Sequence, residues 1–347
     1  MQHEFRAGLE FDVAALEAWL AARLPGFAGP LQVRQFSGGQ SNPTYQLQSP
    51  GRAYVLRRKP PGALLPSAHA IEREFRVMHA LAESTAVPIA RPLLLCDDTT
   101  VIGTAFYVMD HAAGRIFWDP TLPEVPASGR AAIFRAMNGA LASLHAADPV
   151  AIGLGDFGRP EGYVARQVAR WSRQYAGDAE IAGRVPEIEQ LIEWLPKHLP
   201  EQEPRPSVVH GDFRIDNLVF HPVEPTVIAV LDWELSTIGD PYADFAYHVM
   251  MYRMDTGPIP GLAGRDLVAL GLPSEAEYVS WYCERRGIPE VPQLDFYVAF
   301  CLFRLAGIFH GIRGRVRRGT AVSPQAQRYA AEVETIARIA WREALKV

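Results

Sequence analysis

The spacing of apolar and polar positions changes character near residue 113. Before that point short alternating runs dominate, the period of half-buried strands. "LQVRQFSGGQSNPTYQLQS" reads as strand, Gly-Gly turn, strand, and "RAYVLRRKPPG" as another strand stopped by two prolines. "RPLLLCDD" and "GTAFYVMDH" add two more strands with a turn between them. Two helical patterns interrupt the run. "FDVAALEAWLAARLPGF" has Asp12 in a capping position and ends at Pro25, while "AIEREFRVMHALAES" (70–84) sets Ile71, Phe75, Met78 and Leu81 roughly on one face. After "HAAG" (111–114) helical spacing takes over, at 128–147, 161–176 and 185–198 and again from "GDP" to the end. One hairpin breaks it: "NLVF", a Pro-bounded turn "HPVEP", and "TVIAVLD". The expectation is an α+β fold of two lobes, with a strand-rich lobe at 1–108, a connector at 109–113 and a mainly helical lobe at 114–347. No internal repeat or low-complexity segment appears.

Composition narrows the class. At 347 residues the chain exceeds what one compact core usually carries, and 48% hydrophobic with 21% charged residues describes an ordinary globular protein. A formal charge of −5 gives no global attraction to nucleic acid or to acidic membranes. Cys96, Cys283 and Cys301 are odd in number and far apart, which suits a reducing compartment better than a disulfide framework. The first residues lack a basic stretch followed by an apolar one, and the apolar run 296–309 is too short to span a bilayer and contains Arg304. A cytoplasmic protein with neither nucleic acid nor membrane as partner is expected.

The chemistry concentrates in "VVHGDFRIDNLVF" (208–220), where His210, Gly211, Asp212 and Asn217 interrupt strand-like residues. Asp232 follows in "VLDWE". Hairpin geometry can bring such residues to one end, giving two carboxylates and a carboxamide oxygen, a hard all-oxygen set suited to Mg²⁺. Phosphoryl transfer requires a metal on the phosphate oxygens and a carboxylate that orients and deprotonates the attacking hydroxyl. In the protein-kinase catalytic loop a base aspartate is followed five residues later by a metal-binding asparagine, with a second metal-binding aspartate further on. Asp212 and Asn217 reproduce that interval, and Asp232 comes twenty residues after Asp212. An Asx-rich turn before a hairpin would explain "HGD" alone. It does not explain the interval, the following strand and "LDWE…GDP" in order.

"HGDFRIDNLVF", "VLDWELSTIGDPYADFAY" and "FSGGQSNPTY" resemble the aminoglycoside-phosphotransferase family of kinase-like small-molecule kinases, in particular the members related to the kinase-like domain fused to some acyl-CoA dehydrogenases. The resemblance runs from about residue 30 to 340. It implies a bilobal protein-kinase-like fold with ATP and Mg²⁺ held between the lobes. It implies Asp212 as catalytic base and Asn217 and Asp232 as magnesium ligands, although "DWE" replaces the kinase "DFG". The kinase lysine that contacts phosphate is absent. Arg57 matches its position in "AYVLRRKP", arginine can bind phosphate bidentately, and whether Arg57 or Arg58 makes the contact is open. Glu74 is the expected partner of that arginine, with Glu72 as the alternative. "FSGGQSN" (36–42) would cover the phosphates, with Ser41 near them, and the connector would offer adenine its backbone at Met109 and His111. His210 supports the catalytic loop. Asp240, an N-cap ahead of Pro241, is a second candidate brace, whereas Asp244 is explained by the helix dipole.

The acceptor side is read from charge. Phe296 to Arg328 holds six arginines and no acidic residue, and Arg304 lies within an apolar helix, where an unpaired charge would be costly. An anion of the protein or of a ligand should therefore approach it. Arg214, two residues after Asp212, points the same way, and Tyr163 and Arg166 could line an acceptor cleft. Aminoglycosides are polycations, so this pattern argues for an anionic alcohol; the resemblance suggests a hydroxyacyl-CoA and a functional link to an acyl-CoA dehydrogenase. An aminoglycoside, sugar or choline-like acceptor, or a non-catalytic nucleotide-binding module, are the competing expectations. A protein kinase is disfavoured, because eight residues from Asp232 to Asp240 leave no activation segment. So is a zinc site, since no Cys-x-x-Cys or His-x-x-x-His pair occurs.

Overall fold

The computed structural model describes residues 5–36, 42–62, 70–254 and 259–347. In chain order its elements are α1 (Val13–Arg23), β1 (Gln32–Gln35), β2 (Thr44–Ser49), β3 (Arg52–Arg58), α2 (Ile71–Ser84), β4 (Pro92–Cys96), β5 (Phe106–Asp110), α3 (Ala127–Ala146), α4 (Tyr163–Ala182), α5 (Pro186–Trp194), β6 (Ser207–Val209), β7 (Leu218–Phe220), β8 (Val227–Val230), β9 (Thr237–Gly239), α6 (Pro241–Val249), α7 (Leu267–Leu270), α8 (Glu275–Arg286), α9 (Leu294–Arg317), α10 (Pro324–Ala331) and α11 (Val333–Ala344). The chain divides into two compact units, Met1–Arg115 with Leu218–Ser236, and Ile116–Asn217 with Thr237–Val347. Contact thus groups the hairpin after the catalytic loop with the first unit, although it lies within 114–347.

The first unit is built on an antiparallel sheet of order β1-β2-β3-β5-β4. Alternation along β3 decides which side each residue serves. Tyr54 and Leu56 join Leu16, Leu20, Tyr45, Phe106 and Val108 in a core against α1. Arg58 points to that same side. It is buried, donates to the carbonyls of Ile102 (3.1 Å) and Leu9 (3.0 Å), and its guanidinium lies over the rings of Phe11 and Tyr45. Arg57 points to the other face, toward α2. That helix buries Ile71, Glu74, Val77, Met78 and Leu81, so Val77 takes the place expected for Phe75, which is half-buried. The expected hairpin is present as β7 and β8, and Val230 also donates to the carbonyl of Pro88 at 2.9 Å.

The second unit packs around α9. Its 24 residues span about 36 Å at 1.5 Å per residue, long and apolar enough to cross a membrane, which corrects the expectation that this segment is too short. Yet 83% of its most apolar window is buried inside the protein, against α4, α6, α10 and α11. The apolar run is core. The sequence reading missed β9, which pairs with β6 through Val208 opposite Ile238. Three residues are too few to show a period.

Candidate active site

In the second unit the loop that carries Asp212 leaves β6 at Val209 and turns at Gly211, whose φ of 83° is a conformation that side-chain-bearing residues disfavour. The loop is held from beneath by Asp244, in the first turn of α6. Its Oδ2 accepts the His210 amide at 2.7 Å and its Oδ1 the Gly211 amide at 2.8 Å. His145 from α3 adds Nε2–H at 3.1 Å, and because a carboxylate only accepts, this settles the tautomer: His145 Nδ1 takes the hydroxyl of Tyr282 at 2.8 Å. Burial alone would raise the Asp244 pKa, but His145 and the amide donors outweigh it and hold the carboxyl below its ordinary value. The bracing looked for at Asp240 is supplied geometrically by Asp244. Asp240 caps α6, accepting from Tyr242 N (2.8 Å) and Ala243 N (3.2 Å), and takes the Tyr297 hydroxyl at 2.8 Å. Burial pushes its pKa up to about 6 against those hydrogen bonds.

Asp212 is surrounded by donors. Tyr247 O–H meets its Oδ1 at 2.7 Å, and Asn217 Nδ2 reaches both its Oδ2 (3.2 Å) and its main-chain oxygen (2.9 Å). Its own amide donates to His210 Nδ1 at 3.2 Å, so the buried His210 ring shapes the turn. Arg214 Nε lies 3.5 Å from Oδ1, while Arg214 Nη2 donates to Asp216 at 2.8 Å. His248 closes the next turn: Nδ1–H donates to the Phe213 carbonyl at 3.1 Å and Nε2 accepts from Tyr278 at 2.8 Å. Burial lowers its pKa to about 4, keeping it neutral.

Arg304 corrects an expectation. Among the described residues no carboxylate lies within ion-pair distance of it. Its Nη2 donates to the Gly211 carbonyl at 2.7 Å, and its guanidinium stacks 5.0 Å from the centre of the Tyr247 ring. A carbonyl dipole and an aromatic face satisfy the charge, with the field of Asp212 nearby. Three of the other five arginines of this stretch are also engaged: Arg313 pairs with Glu334, Arg318 with Asp178, and Arg317 donates to the Ile181 carbonyl. Tyr163 is buried in the core, and a Cβ at Gly239 would sit 2.7 Å from its ring. Arg166 donates to the carbonyl of Arg159.

Neither Tyr163, Arg166 nor Arg304 lines the cleft of the second unit, whereas Arg214 does. This cleft of about 210 Å³ reaches Tyr247 and Arg214 and is walled by Trp118, Phe213, Met250, Met251, Met254 and Tyr329. Its acidic group, Asp216, is already paired with Arg214.

In the first unit Arg57 is the centre of a charge cluster. Its Nε lies 2.8 Å from Glu74 Oε2, and its Nη2 donates to Asp232 Oδ1 (3.0 Å) and Glu234 Oε2 (3.3 Å). Glu74 also accepts from Asn42 (2.9 Å) and Tyr107 (3.0 Å). Burial raises the Glu74 pKa, Arg57 opposes the rise, and the net direction is upward. Glu72 is taken by Lys59 at 2.5 Å. Asp232 occupies the left-handed region, φ 64°, which aspartate tolerates better than most residues. Met109 is buried within β5 opposite Val55, and the His111 amide reaches the Ala53 carbonyl at 3.4 Å. Ser41 lies outside the described residues.

Sequence reasoning did not single out Tyr247, His145 or Glu234 and gave Asp244 only a dipole role. A signal was present: Asp240, Asp244, Tyr247 and His248 recur at helical spacing on a helix that is otherwise apolar.

A five-stranded antiparallel sheet with one helix carrying a glutamate to a strand arginine, and a helical unit presenting an Asp-to-Asn loop, define a phosphotransferase of kinase-like fold. Residues 32–278 match the model of the phosphotransferase enzyme family, and the chain belongs to it. It is 47% identical over 335 residues to acyl-CoA dehydrogenase family member 10 of Mus musculus, covering 96% of this chain but 31% of that protein. A crystal structure of a "putative aminoglycoside phosphotransferase" from Ralstonia eutropha superposes with a TM-score of 0.89 at 48% identity, covering 97% of this chain and 99% of that one. The aminoglycoside phosphotransferase APH(4)-Ia, in complex with ADP and hygromycin B, matches at 0.59 and 16% identity over 94% of this chain and 98% of that one, a likeness of fold.

Proposed function

We propose that this phosphotransferase moves the γ-phosphoryl group of ATP to the hydroxyl of a small anionic alcohol, a hydroxyacyl-CoA being the acceptor we would test first. The observation that carries the kinase reading is the setting of Asp212, whose carboxylate is fixed by Tyr247 and Asn217 beside a cleft. Asp212 takes the proton of the acceptor hydroxyl as its oxygen bonds to phosphorus; the bond from phosphorus to the β-phosphate oxygen breaks and ADP leaves. Asn217 and Asp232 would each offer an oxygen to magnesium. The amide nitrogen of Asn217 is committed to Asp212, leaving its carboxamide oxygen, and Asp232 gives Oδ1 to Arg57, leaving Oδ2. When bound, the ion would neutralise charge on the phosphate oxygens. Arg57, held by Glu74, would contact phosphate, and the backbone at Met109 and His111 adenine.

The acceptor reading rests on the cleft. Apolar and aromatic walls suit an alcohol carried on an apolar body, and Arg214, paired with Asp216, is the cation that an anionic group on it would meet near Asp212. A polycationic aminoglycoside would want free carboxylates there. The relative named acyl-CoA dehydrogenase family member 10, of which this chain matches 31%, supports the acyl class and a functional link to such an enzyme. Three free, buried cysteines support a cytoplasmic setting.

Product mass spectrometry with Mg-ATP and a panel of hydroxyacyl-CoAs, free hydroxy acids, sugars and aminoglycosides tests this reading. The expected result is one added phosphoryl group on a hydroxyacyl-CoA, reduced by roughly 10²–10⁴-fold in Asp212→Asn while Mg-ATP still binds. Transfer to an aminoglycoside alone would refute the acceptor class; no transfer to any acceptor would refute the kinase.

A further inference from the structure

We infer that Tyr247 is a positioning residue for the base, seated by Arg304, and that it dictates which oxygen of Asp212 receives the acceptor proton. The inference rests on the phosphotransfer reading above and goes beyond it in assigning a second pair of side chains to the reaction.

Tyr247 sits on α6 one turn beyond Asp244, so the helix that braces the loop backbone also delivers a phenol to its carboxylate. The hydroxyl donates to Asp212 Oδ1 at 2.7 Å. Its ring is clamped on one face by the Arg304 guanidinium, 5.0 Å from the ring centre, and the same guanidinium donates to the Gly211 carbonyl at 2.7 Å. One buried cation therefore fixes both the turn that aims Asp212 and the ring that holds its carboxylate. This explains a charge in the middle of an apolar helix that, among the described residues, has no carboxylate within ion-pair distance.

The consequence concerns the two carboxylate oxygens. Oδ1 is occupied by the short Tyr247 bond and by Arg214 at 3.5 Å. Oδ2 carries the longer 3.2 Å contact from Asn217. Rotation about the bond that bears the carboxylate would break the Tyr247 contact, so Oδ2 stays presented to the acceptor hydroxyl. Tyr247 touches Asp212 rather than the reacting atoms, and its effect should fall on turnover and leave nucleotide affinity alone.

Tyr247→Phe keeps the ring against Arg304 and removes the hydroxyl alone. Steady-state turnover, read as ADP release from Mg-ATP with the acceptor panel and with water, should fall about 10- to 100-fold in kcat, the range for a hydrogen bond to a charged group, with KM for ATP unchanged. Single-turnover rates of Asp212→Asn and of the Asp212→Asn/Tyr247→Phe pair complete a cycle. If Tyr247 acts through Asp212, the second substitution adds no further loss. Full activity in Tyr247→Phe, or an equal loss in both backgrounds, overturns the inference. A fall in KM and kcat together with a lowered melting temperature assigns Tyr247 to packing and overturns it as well. Wild-type protein that releases no ADP under any condition refutes the kinase reading itself, and this inference with it; that outcome is recognised because it does not depend on Tyr247.

Discussion

The Asp212 loop of the second unit and the arginine cluster of the first solve opposite problems. Around Asp212 the carboxylates and the turn meet directional partners: amides on Asp244, a phenol and a carboxamide on Asp212, a guanidinium on Gly211. Such a network fixes one geometry and leaves little to rearrange. Around Arg57 one guanidinium spans Glu74, Asp232 and Glu234. Three carboxylates gathered on one guanidinium are held by charge rather than by a single fixed direction. Directional hydrogen bonds fix one carboxylate in one orientation, whereas opposed charges leave an arrangement that a ligand can redistribute.

The contrast breaks most visibly at Asp244. Asp244→Ala would leave the His210 and Gly211 amides without their acceptor, and we expect a loss of about 4 kcal/mol of stability, from buried donors left unmet. The midpoint of thermal unfolding should drop on the order of 10 °C, and calorimetry would read it. A drop smaller than that of a neutral surface substitution would show that the loop holds its shape without the brace.

Asp240 gives the next effect, through pH. Its folded pKa of about 6 lies above the ordinary 3.8, so its favourable contribution is complete below about 3.8 and is lost as pH rises through about 6. Asp240→Asn keeps an acceptor for the α6 cap and removes the titration. Wild type minus variant stability should therefore decline by up to about 3 kcal/mol between pH 4 and pH 6, measured by denaturant unfolding. A flat difference would place the titration elsewhere.

Arg57→Lys sharpens the other side. An ammonium is one point charge and cannot serve three carboxylates with the fork of a guanidinium. We expect about a tenfold rise in KM for ATP, roughly 1.4 kcal/mol. An unchanged KM would mean that the position needs only a positive charge, as in kinases that carry lysine there.

How much of this was readable from the chain follows the range of each interaction. The interval from Asp212 to Asn217 is local, and the structure turns it into a direct hydrogen bond. The Arg57–Glu74 pair was within reach because strand alternation and a helix face each place one partner. Asp244 could not be ranked above Asp240, since both suit a helix start and the choice depends on what the fold lays over that turn. Arg304 misled for a different reason. Charge balance counted ions alone, whereas a carbonyl and a ring sufficed. Tyr163 and Arg166 do not line the cleft of the second unit, because they share a helix whose buried face serves the core.

The excursion of Leu218–Ser236 into the first unit has a consequence for how such a protein can be handed down. Because the chain enters that unit twice, neither unit is one continuous piece of gene. A cut after residue 115 would strip the first unit of β7, β8 and Asp232, and a partner gene spliced there would inherit an arginine cluster without its aspartate. Recombination can move this module only whole, and the mouse relative, which matches 96% of the chain inside a protein about three times as long, carries it that way.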